Sequence, residues 1–530
     1  MTTEPTPTVH LCIIQPPGYM HSMGLLDAAL YFRHEFRQIG AEVTVAKNRL
    51  RHDAPNLVFG AHLGFDPAVA RTFCCIFVNL EQLGAGGSQM PPAYLDLLRT
   101  SRVIDYDVGN PRAYDQRAED VPLISFGYAP YVGPVKSASP LDQRPFDLLF
   151  FGSMNARRRQ LIERIERTGR TVVTFDAPVY GPERDAFIVQ ARAVLNCHYY
   201  DSALFEQVRA FQVLSLGTPL VSESTERTQP GDVFQASVSW FTNDSLEAFF
   251  TNEYPSPDFA GRAASQLKVF QNFNPMHEYV HVLEFARAAF ATNRSIGQSP
   301  PNPQRLLHIG SGKDYRAGWL NVDILESAQP DIRVDLSQTQ FWPSTFPSPF
   351  WGEVRLQAGA SDLIYANNVL EHVTDLATMM HNCLELLRVG GLMVIEVPYE
   401  QSLGAWQDPT HVRALNENSW LYYTDWFWYL GWFEHRFKIN QFQWLDGKLA
   451  RCEKASAAFM CVTLEKVPTT VAERMTARTM RQDFGGLLDP VPLPSKTAPL
   501  PACDLVQSQS SHPLATQYLA HAQADGTVSE

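Results

Sequence analysis

The sequence predicts an α/β protein of three Rossmann-like, doubly wound units followed by a C-terminal tail. Three observations predict it. Short apolar runs of strand length recur about one helix apart, the spacing that parallel sheets need for their crossovers. Three times such a run leads into a glycine-bearing turn and a helical pattern, at residues 9–23, 146–156 and 305–313, the opening of a βαβ unit. Finally, 530 residues correspond to roughly three to four domains. Apolar and charged contents of 45% and 19% let each bury a core without staples.

In the first unit, 1–140, residues 9–14 (VHLCII) read as a strand and Gln15-Pro16-Pro17-Gly18 as its turn. A helical pattern follows to Ile39, with further strands at 42–45, 56–59, 72–78 and 102–104. The second unit, 141–292, opens with Phe146-Asp147-Leu148-Leu149-Phe150-Phe151, then Gly152-Ser153 and a basic helix start. Its other strands fall at 171–175, 193–197 and 219–222. Residues 293–304 (NRSIGQSPPNPQ) are polar and Pro-rich, a linker. The third unit spans 305–467. In 468–530, an amphipathic helix at 471–484 precedes a tail rich in Pro, Ser, Gln and Ala, expected to be disordered or loosely tethered.

A formal charge of −13 argues against coating nucleic acid, which needs a positive field. No nucleic-acid partner is expected. The eight cysteines (Cys12, Cys74, Cys75, Cys197, Cys383, Cys452, Cys461, Cys503) form no C-x-x-C pair, so neither a zinc ribbon nor a disulfide framework is expected, and no metal. The start MTTEPTPTVHLCII lacks the basic and long apolar regions of a signal peptide, and no apolar run of about 18 residues exists. The expectation is a cytoplasmic chain without a transmembrane segment. The amphipathic 471–484 segment leaves contact with a membrane surface or a partner open.

Leu306-Leu307-His308-Ile309-Gly310-Ser311-Gly312 is a buried strand running into G-x-G, which lets backbone approach a ligand and presents amides at a following helix. A dinucleotide site would place its third glycine at 315, where Tyr315 stands. Asp323 ends a second strand (Trp319-Leu320-Asn321-Val322-Asp323), where it can accept ribose hydroxyls, and Asp335 a third (Val334-Asp335-Leu336). Residues 362–368 form strand four and its loop, 373–387 a helix, Arg388-Val389-Gly390-Gly391 a turn, and 392–398 strand five.

The ordered array LLHIGSG, GWLNVDI, SDLIYANNVLEHV, LLRVGGLMVIEVP and DPTHVRALNENSW, over roughly 304–467, resembles the class I S-adenosylmethionine-dependent methyltransferases, most of all the small ones of glycan-assembly pathways. The resemblance implies S-adenosyl-L-methionine as cofactor. Gly310, Ser311 and Gly312 would line its methionine end, Asp323 its ribose, Asp335 and Leu336 its adenine, and Asn367 would flank the methyl group. His308 stands where many members carry an acid. O-methylation of a sugar in polysaccharide biosynthesis is the implied activity, with a glycan as acceptor.

Methyl transfer to a hydroxyl benefits from positioning and from a base within reach. The candidates at strand ends are Glu371-His372 and Asp408-Pro409-Thr410-His411. His372 and His411 are candidate bases; Asp408 either orients His411 or caps its own turn. Six tryptophans between Trp406 and Trp444 are expected to be mostly core, with an acceptor platform as the alternative.

In the second unit, Gly152-Ser153-Met154-Asn155-Ala156-Arg157-Arg158-Arg159 joins a tight turn, a helix N-terminus and three arginines, features suited to a diphosphate. Phe205-Glu206-Gln207-Val208-Arg209 and Leu216-Gly217-Thr218-Pro219-Leu220-Val221 follow. These resemble the C-terminal half of a GT-B glycosyltransferase, which would pair the first two units around one cleft. By that resemblance, Gly152, Asn155 and Arg157 or Arg209 would hold the diphosphate of a nucleotide-sugar donor and Glu206 its ribose. The segments 18–29 and 77–83 would hold the acceptor, and His21, Glu81 and His198 are candidate contacts. The second glutamate of the E-x7-E pattern is replaced by Leu214. Two alternatives therefore stand beside a bifunctional methyltransferase–glycosyltransferase: a methyltransferase with a non-catalytic glycan-binding module, and a non-catalytic scaffold.

Overall fold

The computed structural model describes residues 7–482 except 17–18, 72, 133–138, 176, 296–302 and 317. Pro17 and Gly18 of the first turn, most of the expected 293–304 linker, and the tail from 483 with Cys503 lie outside the described residues. Two compact units divide the chain, Met1–Ser299 and Pro300–Glu530. Among the described residues no helix is long and apolar enough to cross a membrane.

The Met1–Ser299 unit holds two parallel five-stranded sheets. The first comprises β1 (Thr8–Ile13), β2 (Glu42–Lys47), β3 (Asn56–Phe59), β4 (Cys75–Val78) and β5 (Arg102–Ile104), in the order β2-β1-β3-β4-β5. The second comprises β6 (Phe146–Leu149), β7 (Val172–Val173), β8 (Ala191–Asn196), β9 (Leu220–Glu223) and β10 (Ser239–Phe241), in the equivalent order β7-β6-β8-β9-β10. Both place a switch in direction beside the first strand, where doubly wound sheets open a crevice. The expected strand at 171–175 is reduced to β7.

Aromatic packing welds the two halves. Tyr31, Phe32 and Phe36 of the helix Met23–Gln38 share a core with Phe126, Phe211 and Tyr279. Phe126 stacks on Phe211 at 5.0 Å, and Tyr31 lies 5.6 Å from Tyr279. Tyr279 belongs to the last helix of the unit, Met276–Ser295, which thus returns from the second half to the first. At roughly 1.5–3 kcal/mol per large apolar side chain, this cluster is a main tie between the halves, and hydrogen bonds such as Ser202 to Gln82, Ala129 to Ser215 and Arg184 to Asp27 add to it.

The Pro300–Glu530 unit holds β11 (Leu306–Ile309), β12 (Leu320–Asp323), β13 (Ile332–Arg333), a hairpin of β14 (Ser344–Ser348) and β15 (Gly352–Leu356), then β16 (Ser361–Asn367), β17 (Leu387–Pro398), β18 (His435–Leu445) and β19 (Phe459–Pro468). Its main sheet runs β13-β12-β11-β16-β17-β19-β18, with β19 antiparallel to both neighbours and the β11–β17 pairs parallel. Each of the three main sheets thus carries a Rossmann-like parallel array in an α/β chain, the third extended by the antiparallel β19 and β18.

One local expectation, a helix entered from the G-S-G turn, needs correction here. No helix follows the G-S-G turn among the described residues: only 310–319 separate β11 from β12, whereas a helical crossover needs about a dozen or more residues. A helix, Leu376–Leu386, capped by Asp375, joins β16 to β17. Arg388–Gly391 is not a turn but part of β17, and Val334-Asp335-Leu336 follows β13 rather than forming it. Of the six clustered tryptophans, Trp420 and Trp432 are core, Trp428 and Trp444 pack partly against it, and Trp406 and Trp426 are exposed. The helix expected at 471–484 runs over Val471–Thr479.

His10 and His308 are buried mid-strand, and burial lowers each imidazole from 6.5 to about 4. Between those values the unfolded chain takes up protons that the fold refuses, so stability falls as pH drops from 6.5 toward 4, by on the order of 3 kcal/mol per histidine. The thermal midpoint of the full chain is expected to be lower at pH 5 than at pH 7. The raised Glu371 and Asp105 carboxyls act in the opposite direction, so the check is a smaller fall expected in His10→Gln and His308→Gln. A fall equal to that of the wild type would mean that these imidazoles are charged in the fold.

Candidate functional sites

A cavity of about 670 Å³ opens in the Met1–Ser299 unit between its two sheets. Its wall joins His21, Glu81 and Tyr106 of the first half to Gly152, Glu206 and Arg209 of the second. His21 Nδ1 lies 2.8 Å from the Tyr180 hydroxyl, and Arg184 donates to Asp27 at 2.7 Å, so polar contacts close the crevice edge. Burial raises the Glu81 carboxyl; His62 Nε2 is 3.6 Å away.

Glu206 sits at the start of the helix Gln207–Ser215. Asn196 donates to its Oε2 at 2.9 Å and His198 Nδ1 lies 3.1 Å away, while Oε1 is buried without a hydrogen bond. Burial alone would raise this carboxyl, but His198, Arg209 and Asn196 outweigh it and bring it down to about 2. His198 is fully buried between Glu206 and Thr228, a support rather than a wall residue.

The arginines divide their tasks. Arg157 pairs with Glu223 and donates to the His198 carbonyl at 3.0 Å; the cavity wall carries Arg158 and Arg209 instead. Arg158 spends its donors on the carbonyls of Cys197 and Ser153. Burial and the nearby Arg209 lower its guanidinium to about 10. Arg209 donates to Asn196, lies over the Phe150 and Phe151 rings, and keeps its buried Nε unbonded. Gly152, at φ +134, makes room for it: a Cβ there would stand 2.8 Å from Arg209 Nη2. Asn155 caps the helix Ala156–Arg167, accepting from the Arg158 amide at 2.8 Å, and its Nδ2 donates to the Tyr199 carbonyl. Leu214 is buried in the apolar core.

In the Pro300–Glu530 unit, Gly310 and Gly312 have φ of +62 and +46. Asp323 Oδ2 accepts from the Gly312 amide and Oδ1 from the Leu325 amide, both at 2.8 Å, so this carboxylate ties the G-S-G turn to the end of β12. The Ser311 hydroxyl is buried without a partner. Asp335 accepts from Ser337, the Leu336 carbonyl accepts from Asn382 at 2.8 Å, and Asn367 ends β16. His308 Nδ1 lies 3.2 Å from Asn321 Oδ1, and Asp314 reaches within 4.0 Å of His308 Nε2, returning a carboxylate to that corner.

Past Asn367, a single turn, Leu370–His372, carries Glu371 and His372. The Val412 amide donates to the Glu371 carbonyl at 2.9 Å, which draws His411 in. Glu371, His372 and His411 offer ligand atoms within 4.8 Å of one another. Glu371 is 2% exposed with neither carboxylate oxygen hydrogen-bonded, and burial raises it to about 7. His411 Nδ1 donates to the Ala405 carbonyl at 2.9 Å, and its Nε2 lies 4.0 Å from Glu371. His372 Nδ1 donates to Thr410 Oγ1 at 3.0 Å, and that hydroxyl donates to Asp408 at 2.6 Å. Asp408 therefore caps its own turn and, through Thr410, orients His372 rather than His411. This is a group able to hold a divalent cation, although no pair of metal-ligand motifs announced it.

No protein-family model matches the chain. It is 22% identical over 235 residues to an uncharacterized protein of Acanthamoeba polyphaga mimivirus, covering 39% of this chain and 72% of the relative. A second mimivirus protein is 24% identical over 170 residues, 30% of this chain and 22% of that protein. The chain thus spans most of the first relative and less than a quarter of the second. It is 26% identical over 152 residues to the ubiquinone biosynthesis O-methyltransferase of Sinorhizobium fredii, 26% of this chain and 60% of the enzyme. Similar solved structures include a glycosyltransferase involved in avilamycin A biosynthesis, at 15% identity over 54% of this chain and 98% of that one, with TM-score 0.32. Another is a SAM-dependent methyltransferase from Archaeoglobus fulgidus, at 15% identity over 34% of this chain and 93% of that one, with TM-score 0.21.

The two glycines of the G-S-G turn differ in what they tolerate. A Cβ on Gly310 would fall inside the Val369 side chain, while one on Gly312 would meet its nearest atom at 3.9 Å. Gly312→Ala is expected to cost about 1–2 kcal/mol for its positive φ alone, and Gly310→Ala roughly 3 kcal/mol or more with the added clash. Denaturant unfolding of both variants checks the order. Equal losses would remove the close approach of Val369 as a constraint.

Proposed function

We propose that the chain is a bifunctional glycan-modifying transferase: an S-adenosyl-L-methionine-dependent O-methyltransferase in Pro300–Glu530 and a GT-B-like glycosyltransferase in Met1–Ser299. The observation that carries the reading is the gathering of Glu371, His372 and His411 beside Asn367, at the carboxyl edge of the sheet that also bears the G-S-G turn. Ligands bind at that edge in open α/β sheets. The resemblance of the motif array, and a relative that bears the name of an O-methyltransferase, support it. The residues present suit the cofactor: a glycine turn whose backbone can be approached, the orphaned Ser311 hydroxyl and a strand-end carboxylate at Asp323.

When bound, S-adenosyl-L-methionine supplies a methyl group already activated on a sulfonium. The chain's own task is then largely positioning. Gly310, Ser311 and Gly312 take the methionine end, with Asp314 standing in for the acid absent at His308. Asp323 keeps lone pairs for ribose hydroxyls, and Asp335 with Leu336 flanks the adenine. An acceptor hydroxyl arriving past Asn367 meets the carboxylate and two imidazoles of the Glu371 group, which activate it for attack.

Calorimetry of the full chain with S-adenosyl-L-methionine is expected to show saturable binding. Asp323→Ala should weaken it roughly 10-fold or more, the loss of a charge-assisted hydrogen bond. Glu371→Gln should keep cofactor binding and lose methyl transfer to sugar acceptors. Absence of heat from the folded wild-type chain would sink the methyltransferase reading.

For the front unit, Glu206 and Arg209 at the cavity wall support a nucleotide-sugar donor, whereas Leu214 in place of a glutamate favours the second reading, a glycan-binding module without catalysis. A screen of sugar-nucleotide hydrolysis separates them. Turnover of one donor, reduced roughly 10-fold or more in Glu206→Gln, is expected for the enzyme. Turnover equal in both proteins would remove Glu206 from its role, and turnover of no donor would leave the module.

A further inference from the structure

We propose that Glu371, His372 and His411 bind a divalent first-row transition cation, with the Glu371 carboxylate and the Nε2 atoms of both histidines as ligands. Three observations converge on it. The donor set is one carboxylate and two imidazoles, whose ligand atoms lie within 4.8 Å of one another. Such N2O sets suit zinc, iron, manganese or cobalt, with further positions left for water or substrate.

The second observation is tautomeric. Ala405 offers only a carbonyl to His411 Nδ1, at 2.9 Å, so that nitrogen must carry the proton. Thr410 offers His372 Nδ1 its carbonyl at 3.3 Å and a hydroxyl whose own proton goes to Asp408. Both Nδ1 atoms are therefore donors, and both Nε2 lone pairs remain for a ligand. Outer partners of this kind, a carbonyl on one imidazole and a carboxylate-backed hydroxyl on the other, fix metal-binding histidines in the productive tautomer.

The third is an imbalance. Both oxygens of Glu371 are buried and lack hydrogen bonds. A buried carboxylate without partners costs several kcal/mol, and coordination is the interaction these surroundings are built to supply. Asp408, by contrast, accepts from the Thr410 amide and hydroxyl through Oδ1 and lies outside this group of three. The cation binds independently of the cofactor. Only its role, orienting and polarising an acceptor hydroxyl, rests on the methyltransferase reading.

The test uses the full chain stripped with EDTA and dialysed, titrated with MnCl2 and with ZnSO4 alone by calorimetry. One equivalent is expected to bind at micromolar or tighter affinity. Glu371→Gln and His411→Gln should each weaken it by roughly 100-fold, and Thr410→Val by about 10-fold through loss of an outer partner. Circular dichroism and retained S-adenosyl-L-methionine heats control for folding. Should the variants unfold, the wild type loaded with Cu(II) gives a second readout: electron paramagnetic resonance is expected to show coupling to two imidazole nitrogens. No binding of either metal, affinities unchanged in the variants, or a copper spectrum without nitrogen coupling overturns the site. In that case the carboxyl is a neutral acid sharing a proton with His411. A chain that binds cofactor but no metal loses only this proposal, and one that binds metal but no cofactor loses only the methyltransferase reading.

Discussion

Parallel strands buried on both faces leave few places for a charged side chain. In β3 and β4 every residue is buried, and β11 and β12 are the same. Carboxylates are therefore pushed to strand ends and the loops beyond them, where each must find a partner or remain neutral, while His10 and His308, kept mid-strand, have their imidazoles lowered by burial. Glu223 ends β9 and pairs with Arg157. Asp323 ends β12 and takes two backbone amides. Among the described residues, Glu371 alone has both carboxylate oxygens buried and without a hydrogen bond. One constraint thus produces satisfied carboxylates that hold turns in place and one unsatisfied carboxylate that waits for something to bind.

The same constraint sorts the cations of the front cavity. Arg158 lies deepest and spends its fork on carbonyls, which braces the Ser153 turn. Arg157 is neutralised by Glu223. What remains for an anion is Arg209, backed by the aromatic faces of Phe150 and Phe151 and given room by Gly152. Substituting any residue with a Cβ at Gly152 would press on that guanidinium, so the glycine and the arginine act as one device. Three consecutive arginines suggest a broad basic patch; the fold reduces them to scaffold, ion pair and exposed charge.

The strands of the parallel sheets were legible because their apolar runs are short and set between polar segments, and the helix Met23–Gln38 because of its periodicity. The missing helix after β11 was not, because G-S-G marks a helix entry equally well when the crossover is too short to hold a helix. The choice between Arg157 and Arg158 depends on helix phase at the cap, which differs by one residue and about 100°. Glu371 and His411 could be named as strand-end candidates from sequence. Their meeting depends on a backbone bond from Val412 to Glu371, a long-range contact that no local pattern encodes.

The direction of the two imidazoles decides between a proton relay and a ligand set. In a carboxylate–imidazole relay, the carboxylate takes the imidazole Nδ1 proton and the opposite nitrogen works on substrate. Here Nδ1 of both histidines faces a loop carbonyl or hydroxyl, and Nε2 of His411 faces the carboxylate. A deprotonated Glu371 and a lone pair on Nε2 would repel, so the arrangement is stable only with a positive species between them. A proton satisfies one imidazole and leaves the other idle. A divalent cation uses the carboxylate and both lone pairs at once, and it explains why the chain secures His372 through Thr410 and Asp408 as firmly as it secures His411 through Ala405.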